Sequence, residues 1–141
     1  MAATRGWLDP QGCPFVRVAI FPEGRAAASK DFDALIDTGF TGFGQMPLAV
    51  ASSLGLVPIG EMEMTYSDGT TEPVPVAWAT VRLSSETREG FFFVPDGGDV
   101  LIGVHFLRLF RKALIHSVAD DLVVLTDEGF DELGFGTRER A

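Results

Sequence analysis

The chain has almost no cysteine: Cys13 stands alone among 141 residues. One thiol closes no internal disulfide and gives a zinc ion no cysteine pair, so a reducing interior is the expected setting. No histidine lies near Cys13 in sequence, which favours an idle thiol over a nucleophile. Histidine is scarce as well, with only His105 and His116. A catalytic zinc site usually takes three protein ligands, so both histidines read as structural and no metal is expected. No apolar stretch approaches the roughly 20 residues that span a bilayer. The N-terminus shows no basic segment leading into an apolar one. A soluble, cytoplasmic protein without a membrane partner is expected. Positive charge is also in short supply: 11 Lys and Arg face 20 Asp and Glu, a net charge of −9. Such a chain is repelled by phosphate backbones, which argues against nucleic-acid binding as its main task. The charge reads either as solubility or as a preference for basic substrates.

What the chain does have is apolar bulk and breaks. Hydrophobic residues make up 46% of it, with 12 Phe, 16 Gly and 8 Pro. That is a globular composition at the size of one domain. The frequent glycines and prolines favour many short strands over long helices. Strands are expected at 15–21, 32–36, 61–66, 74–83, 90–94 and 100–102, with a closing hairpin of 113–118 and 122–125 around Asp120 and Asp121. Pro73 and Pro75 confine the start of their strand to an edge or a loop. Short helices are expected at 47–54, with Pro47 in the first turn and Gly55 at the end, and after Gly103, where Phe106, Leu107 and Phe110 have helical spacing. The sum is an all-β domain with two short helices. It is bounded as an extension at 1–14, a domain at 15–126 and a charged tail at 127–141.

Chemistry concentrates in Ala34-Leu35-Ile36-Asp37-Thr38-Gly39. An apolar strand delivers a carboxylate to its end. The Thr38 hydroxyl can bond nearby backbone, and Gly39 lets the chain turn sharply with an N–H facing the carboxylate. A bare Asp-Thr-Gly would occur by chance in about 3% of chains this long, and it also suits an ordinary turn, so the tripeptide needs company. Some 60 residues on stands Asp99-Val100-Leu101-Ile102-Gly103, again apolar residues ending in glycine; taken singly, it is a buried strand with a helix-entry glycine. Between the two lies Tyr66-Ser67-Asp68-Gly69-Thr70, which on its own is a hairpin with an Asp-Gly turn. Asp31 and Asp33 share a strand face that reads as solvated. The glycines at 39, 42 and 44 are not a phosphate loop, because no Gly-Lys-Ser/Thr ending follows.

In this order, the three segments resemble the single-lobe aspartic proteases of the retropepsin-like clan, in particular bacterial members. These share the Asp-Thr-Gly-Phe-Thr-Gly run and a helix ending in Leu-Gly-Leu, here Leu54-Gly55-Leu56. The resemblance spans about 15–125. It implies a retropepsin-like closed β-barrel, the acid protease lobe, with one or two short helices. It assigns Asp37, Thr38 and Gly39 to catalysis. Tyr66, Ser67, Asp68, Gly69 and Thr70 become a flap over the substrate, and Leu101, Ile102 and Gly103 a strand that supports the catalytic loop. Three positions depart from the retroviral pattern. Phe40 replaces an alanine and should narrow the neighbouring pocket, Val104 replaces an arginine that supports the dimer, and the flap lacks a glycine-rich tip.

The implied reaction needs two carboxylates, one ionised to activate water and one protonated to polarise the peptide carbonyl. No second apolar-apolar-Asp-Thr/Ser-Gly occurs, and the chain is too short for two lobes. A two-fold homodimer sharing one site is therefore expected, acting on a peptide or protein substrate without a cofactor. The alternatives are a catalytically silent dimeric peptide-binding module of the same fold and a structural subunit of a larger assembly.

Overall fold

The computed structural model describes residues 3–127. Eleven strands and two short helices run in the order β1 (Ala3–Arg5), β2 (Trp7–Leu8), β3 (Pro14–Phe21), β4 (Lys30–Ile36), β5 (Gly44–Gln45), α1 (Leu48–Ser53), β6 (Gly60–Thr65), β7 (Thr71–Leu83), β8 (Glu86–Phe93), β9 (Leu101–Ile102), α2 (Val104–Phe110), β10 (Lys112–Ser117) and β11 (Leu122–Asp127). The all-β expectation with two short helices holds. Residues 128–141, most of the expected tail, lie outside the described residues.

The main sheet has the order β2-β3-β4-β9-β5-β8-β7-β6, and a further pairing of β3 with β7 closes it on itself. Strand β3 makes this possible because, besides β2, it pairs with both β4 and β7. Phe15 to Ile20 pair with β4, while Ala19 to Phe21 pair with β7. The circuit of six strands is a small barrel, whose interior side chains must fill it. Val16, Val18 and Ile20 alternate inward from β3, and Ala77, Ala79 and Val81 from β7. The small alanines leave volume for Phe92, Phe106 and Phe110, all essentially inaccessible.

The outer strand β6 pairs only with β7, and most of its residues are exposed. Pro73 and Pro75 sit opposite Glu63 and Glu61 on this edge hairpin, below the point where β8 begins to pair at Val76. Their missing N–H groups fall where no ladder bond is required. A second sheet, β1-β11-β10, packs at the other end. Residues 3–8, within the expected N-terminal extension, pair into both sheets: Ala3 to Arg5 with β11, and Trp7 and Leu8 with β3.

Strand β8 begins earlier than expected. Its first residues, Glu86-Thr87-Arg88-Glu89, carry no apolar pattern, but they pair in register with 80–83 across a two-residue loop. Ser84 takes a positive φ of 53° in that loop. Helix α1 starts after Pro47, which acts as its N-cap, and Gly55 follows its end at φ +73°.

Candidate active site

Strand β4 ends at Ile36, so Asp37 emerges from the barrel at a strand terminus. Its neighbour β9 runs parallel, with Leu35 opposite Leu101 and Ile36 opposite Ile102. Two backbone bonds lock the pair: Leu35 N–H to Val100 O at 3.0 Å and Asp37 N–H to Ile102 O at 2.9 Å. The two expected motifs, some sixty residues apart in sequence, are thus side by side. The Asp37 backbone is fixed by the ladder while its partly exposed carboxylate turns outward. Gly39 donates its N–H to Asp37 Oδ1 at 3.0 Å, a bond that orients the carboxylate. The reason for glycine here is approach: a Cβ at Gly39 would lie 3.2 Å from that oxygen, and its φ is not in the left-handed region. Thr38 is exposed. Its hydroxyl makes no hydrogen bond among the described residues, so the expected bond to nearby backbone is absent within one chain.

The loop that follows is held from beneath by Gly103. Its N–H bonds Phe43 O at 3.1 Å, and the next N–H, from Val104, bonds Phe40 O at 2.9 Å. A Cβ on Gly103 would stand 2.4 Å from the carbonyl oxygens of both Phe40 and Gly42. Phe40, expected to narrow the neighbouring pocket, folds back on its own loop. Its ring covers the faces of Gly42 and Gly103 and meets Phe93 edge-on at 6.0 Å.

A second pair of glycines, not singled out in the sequence, positions this loop against β8. Phe92 packs over Gly44, and Phe43 packs over Gly90; a Cβ at either glycine would fall within 2.4 Å of the opposing ring. Gly44 and Phe92 are direct partners in the β5–β8 ladder.

The expected flap residues, 66–70, form the turn between β6 and β7. Gly69, at φ +86°, allows the tight reversal, with its N–H on Tyr66 O at 2.9 Å. The Asp68 carboxylate accepts from the Thr70 hydroxyl at 2.6 Å and the Thr70 N–H at 2.9 Å. Those bonds, hydroxyl first, hold its pKa below the usual carboxylate value. The Tyr66 hydroxyl donates to Glu72 across the hairpin, and this bond to a carboxylate raises the phenol's pKa. Ser67 stands at the exposed tip. Apart from Gly69, the turn at 66–70 is ordered by its own side chains.

The two histidines stand in structural contacts. His116 Nε2 lies 2.8 Å from Gly12 O, and the His105 ring lies edge-on to Phe43. Among the described residues no group of three or more His, Cys, Asp or Glu is gathered as for a metal ion. Asp33 pairs with Arg17 at the surface, and among the described residues no helix is long and apolar enough to cross a membrane. The lysine at 112, unremarked in the sequence, is the one charged residue buried among the described residues. Its ammonium sits between Glu86, at 2.6 Å, and Asp127. Burial pushes its pKa down, but the hydrogen bonds to Asp127 and Glu86 outweigh this and raise it.

No protein-family model matches the sequence. No curated protein matches it either. Solved structures do. The EIAV protease, complexed with the inhibitor HBY-793, superposes with a TM-score of 0.58 at 14% identity, covering 76% of this chain and 96% of that one. Simian foamy virus (mac) protease gives 0.46 at 18% identity over 70% of this chain and 99% of its own. A foamy viral protease–reverse transcriptase, solved with an RNA/DNA hybrid, gives 0.47 at 15% identity over 67% of this chain and 12% of that one. At such identities the EIAV superposition speaks for architecture alone, and together with the closed barrel and the paired β4 and β9 it gives this chain the retropepsin-like aspartic protease fold.

Proposed function

We propose that the protein is an aspartic endopeptidase in which two copies of the chain each contribute Asp37 to one site. The observation that carries this reading is the placement of Asp37. Its backbone is fixed by the β4–β9 ladder, its carboxylate is oriented by the Gly39 N–H, and it is partly exposed with no second carboxylate bonded to it among the described residues. A structural Asp-Thr-Gly turn would not require the glycine support under 40–43.

In the reaction, a water held between the two Asp37 carboxylates loses a proton to the ionised one and attacks the peptide carbonyl carbon. The protonated one donates to the carbonyl oxygen, giving a tetrahedral diol; proton transfer to the amide nitrogen then releases the amine and the acid. The pair shares one proton because two adjacent carboxylates do not both ionise cheaply, so its apparent pKa values belong to the dyad. Residues 66–70 close over the bound peptide and exclude water. No cofactor takes part.

The test is cleavage of denatured protein and mixed peptides from pH 3 to 8 by wild type and Asp37→Asn, with dimers of both verified by light scattering. The reading predicts cleavage by wild type, and at least a thousandfold less by a folded Asp37→Asn dimer, as expected when a member of a catalytic unit is lost. Binding without cleavage by both proteins would favour the silent peptide-binding module.

A further inference from the structure

Beside the catalytic loop lies an apolar cleft of about 470 Å³ that does not include Asp37. Gly42 of the loop forms one wall and Met62 of β6, the strand leading into the flap, forms another. Trp78 and Phe91 line it from β7 and β8, and His105 from α2. Trp78 and Phe91 are cross-strand partners whose rings meet edge-on at 4.8 Å. Phe91 is nonetheless 41% exposed and Met62 47% exposed, so the cluster presents apolar surface to solvent where a bound side chain would cover it. The volume falls in the range of ordinary ligand sites, roughly 300–1,000 Å³.

We propose that this cleft is an outlying substrate subsite that takes one bulky apolar side chain, aromatic or Met/Leu, from a peptide residue away from the scissile bond. The proposal rests on the endopeptidase reading, because it places the peptide between the loop and the flap. Continuity identifies the occupant. The two segments that would bracket an extended peptide, the loop at 39–44 and the strand leading to the flap, also form two walls of the cleft. Side chains of an extended peptide alternate in direction, so one leaving the central cleft on this side meets the Trp78–Phe91 rings. The lining is apolar apart from Glu89 and His105, so a polar side chain entering it would lose its water without an adequate set of partners. A second copy of the chain seated here would block the flap strand, which the same reading requires to move.

Randomised dodecapeptides selected on immobilised, full-length Asp37→Asn protein test this without requiring turnover. Selected peptides should share one apolar position. Changing that residue to Ser should weaken binding about tenfold or more to Asp37→Asn protein, but less than twofold when Phe91→Ser is also present, as expected for two groups that touch. Trp78→Leu, which keeps an apolar core side, should give intermediate loss and guards against misfolding of one variant. No retained peptide, no shared apolar position, or an equal loss with and without Phe91→Ser would overturn the subsite. Wild-type protein that binds the selected peptides but fails to cut them would overturn the endopeptidase reading and leave the subsite standing.

Discussion

An alanine at Gly103 would place its Cβ 2.4 Å from two backbone carbonyl oxygens, which cannot swing aside as a side chain could. Gly103→Ala should therefore cost about 1–3 kcal/mol, the usual range for overpacking. Urea denaturation would read it as a lower midpoint at unchanged slope. The opposite sign is expected at Thr80, which is 6% exposed and whose hydroxyl has no hydrogen-bond partner among the described residues. Replacing it with the near-isosteric valine removes a buried unsatisfied group. Thr80→Val should stabilise by about 1 kcal/mol, and an unchanged or lower melting temperature would contradict this. At this scale the sequence was unequally informative. The placing of Asp37, Gly39 and Gly103 in one loop region was legible because short motifs and their spacing announced it. The orphaned Thr80 hydroxyl, buried Lys112 and the pairing of Gly44 and Gly90 with opposing phenylalanines were not, because each depends on which distant residue arrives opposite.

At the scale of elements, the β6–β7 turn and the terminal sheet respond to pH from opposite ends. In the turn, Asp68 has a folded-state pKa below its unfolded value. Its contribution is fully present above the unfolded value, about 3.9, and is lost as pH falls through the folded one. The Thr70 amide resonance should titrate with a midpoint below that ordinary value, and a midpoint above it would contradict the assigned bonds. In the terminal sheet, Lys112 joins the start of β10 to Glu86 of β8 and Asp127 of β11, with only 1% of its side chain exposed. Its raised pKa makes the contribution fully present below the unfolded lysine value, about 10.4, and lost as pH rises through the folded one. Lys112→Met keeps the volume but removes the ammonium from between the Glu86 and Asp127 carboxylates. It should cost about 1–3 kcal/mol near neutral pH, less once those carboxylates are protonated in acid. Equal loss at pH 3 and pH 7 in denaturation would show that packing alone matters there. Most strands could be read from alternation and from Gly and Pro breaks. The beginning of β8 could not, since Glu86 to Glu89 are polar and become a strand only through their register with β7.

For the whole molecule, the closed barrel follows from one strand, β3, that pairs with both β4 and β7, which no local pattern announces. Ala19 to Phe21 look like the rest of β3, yet their pairing with β7 converts an open sheet into a barrel. The resemblance in three ordered motifs predicted that closure better than periodicity could. The proposed endopeptidase would need two chains for one active site, and subunit exchange tests this most directly. Wild-type protein is mixed with an equal amount of Asp37→Asn, dissociated by dilution, reassociated, and assayed on a cleaved peptide. If each site needs Asp37 from both subunits, random reassortment leaves roughly half of the wild-type activity, and excess mutant drives it towards zero. Activity that stays at the wild-type level at every mixing ratio, in samples where mixed dimers are shown to form, would contradict the shared site.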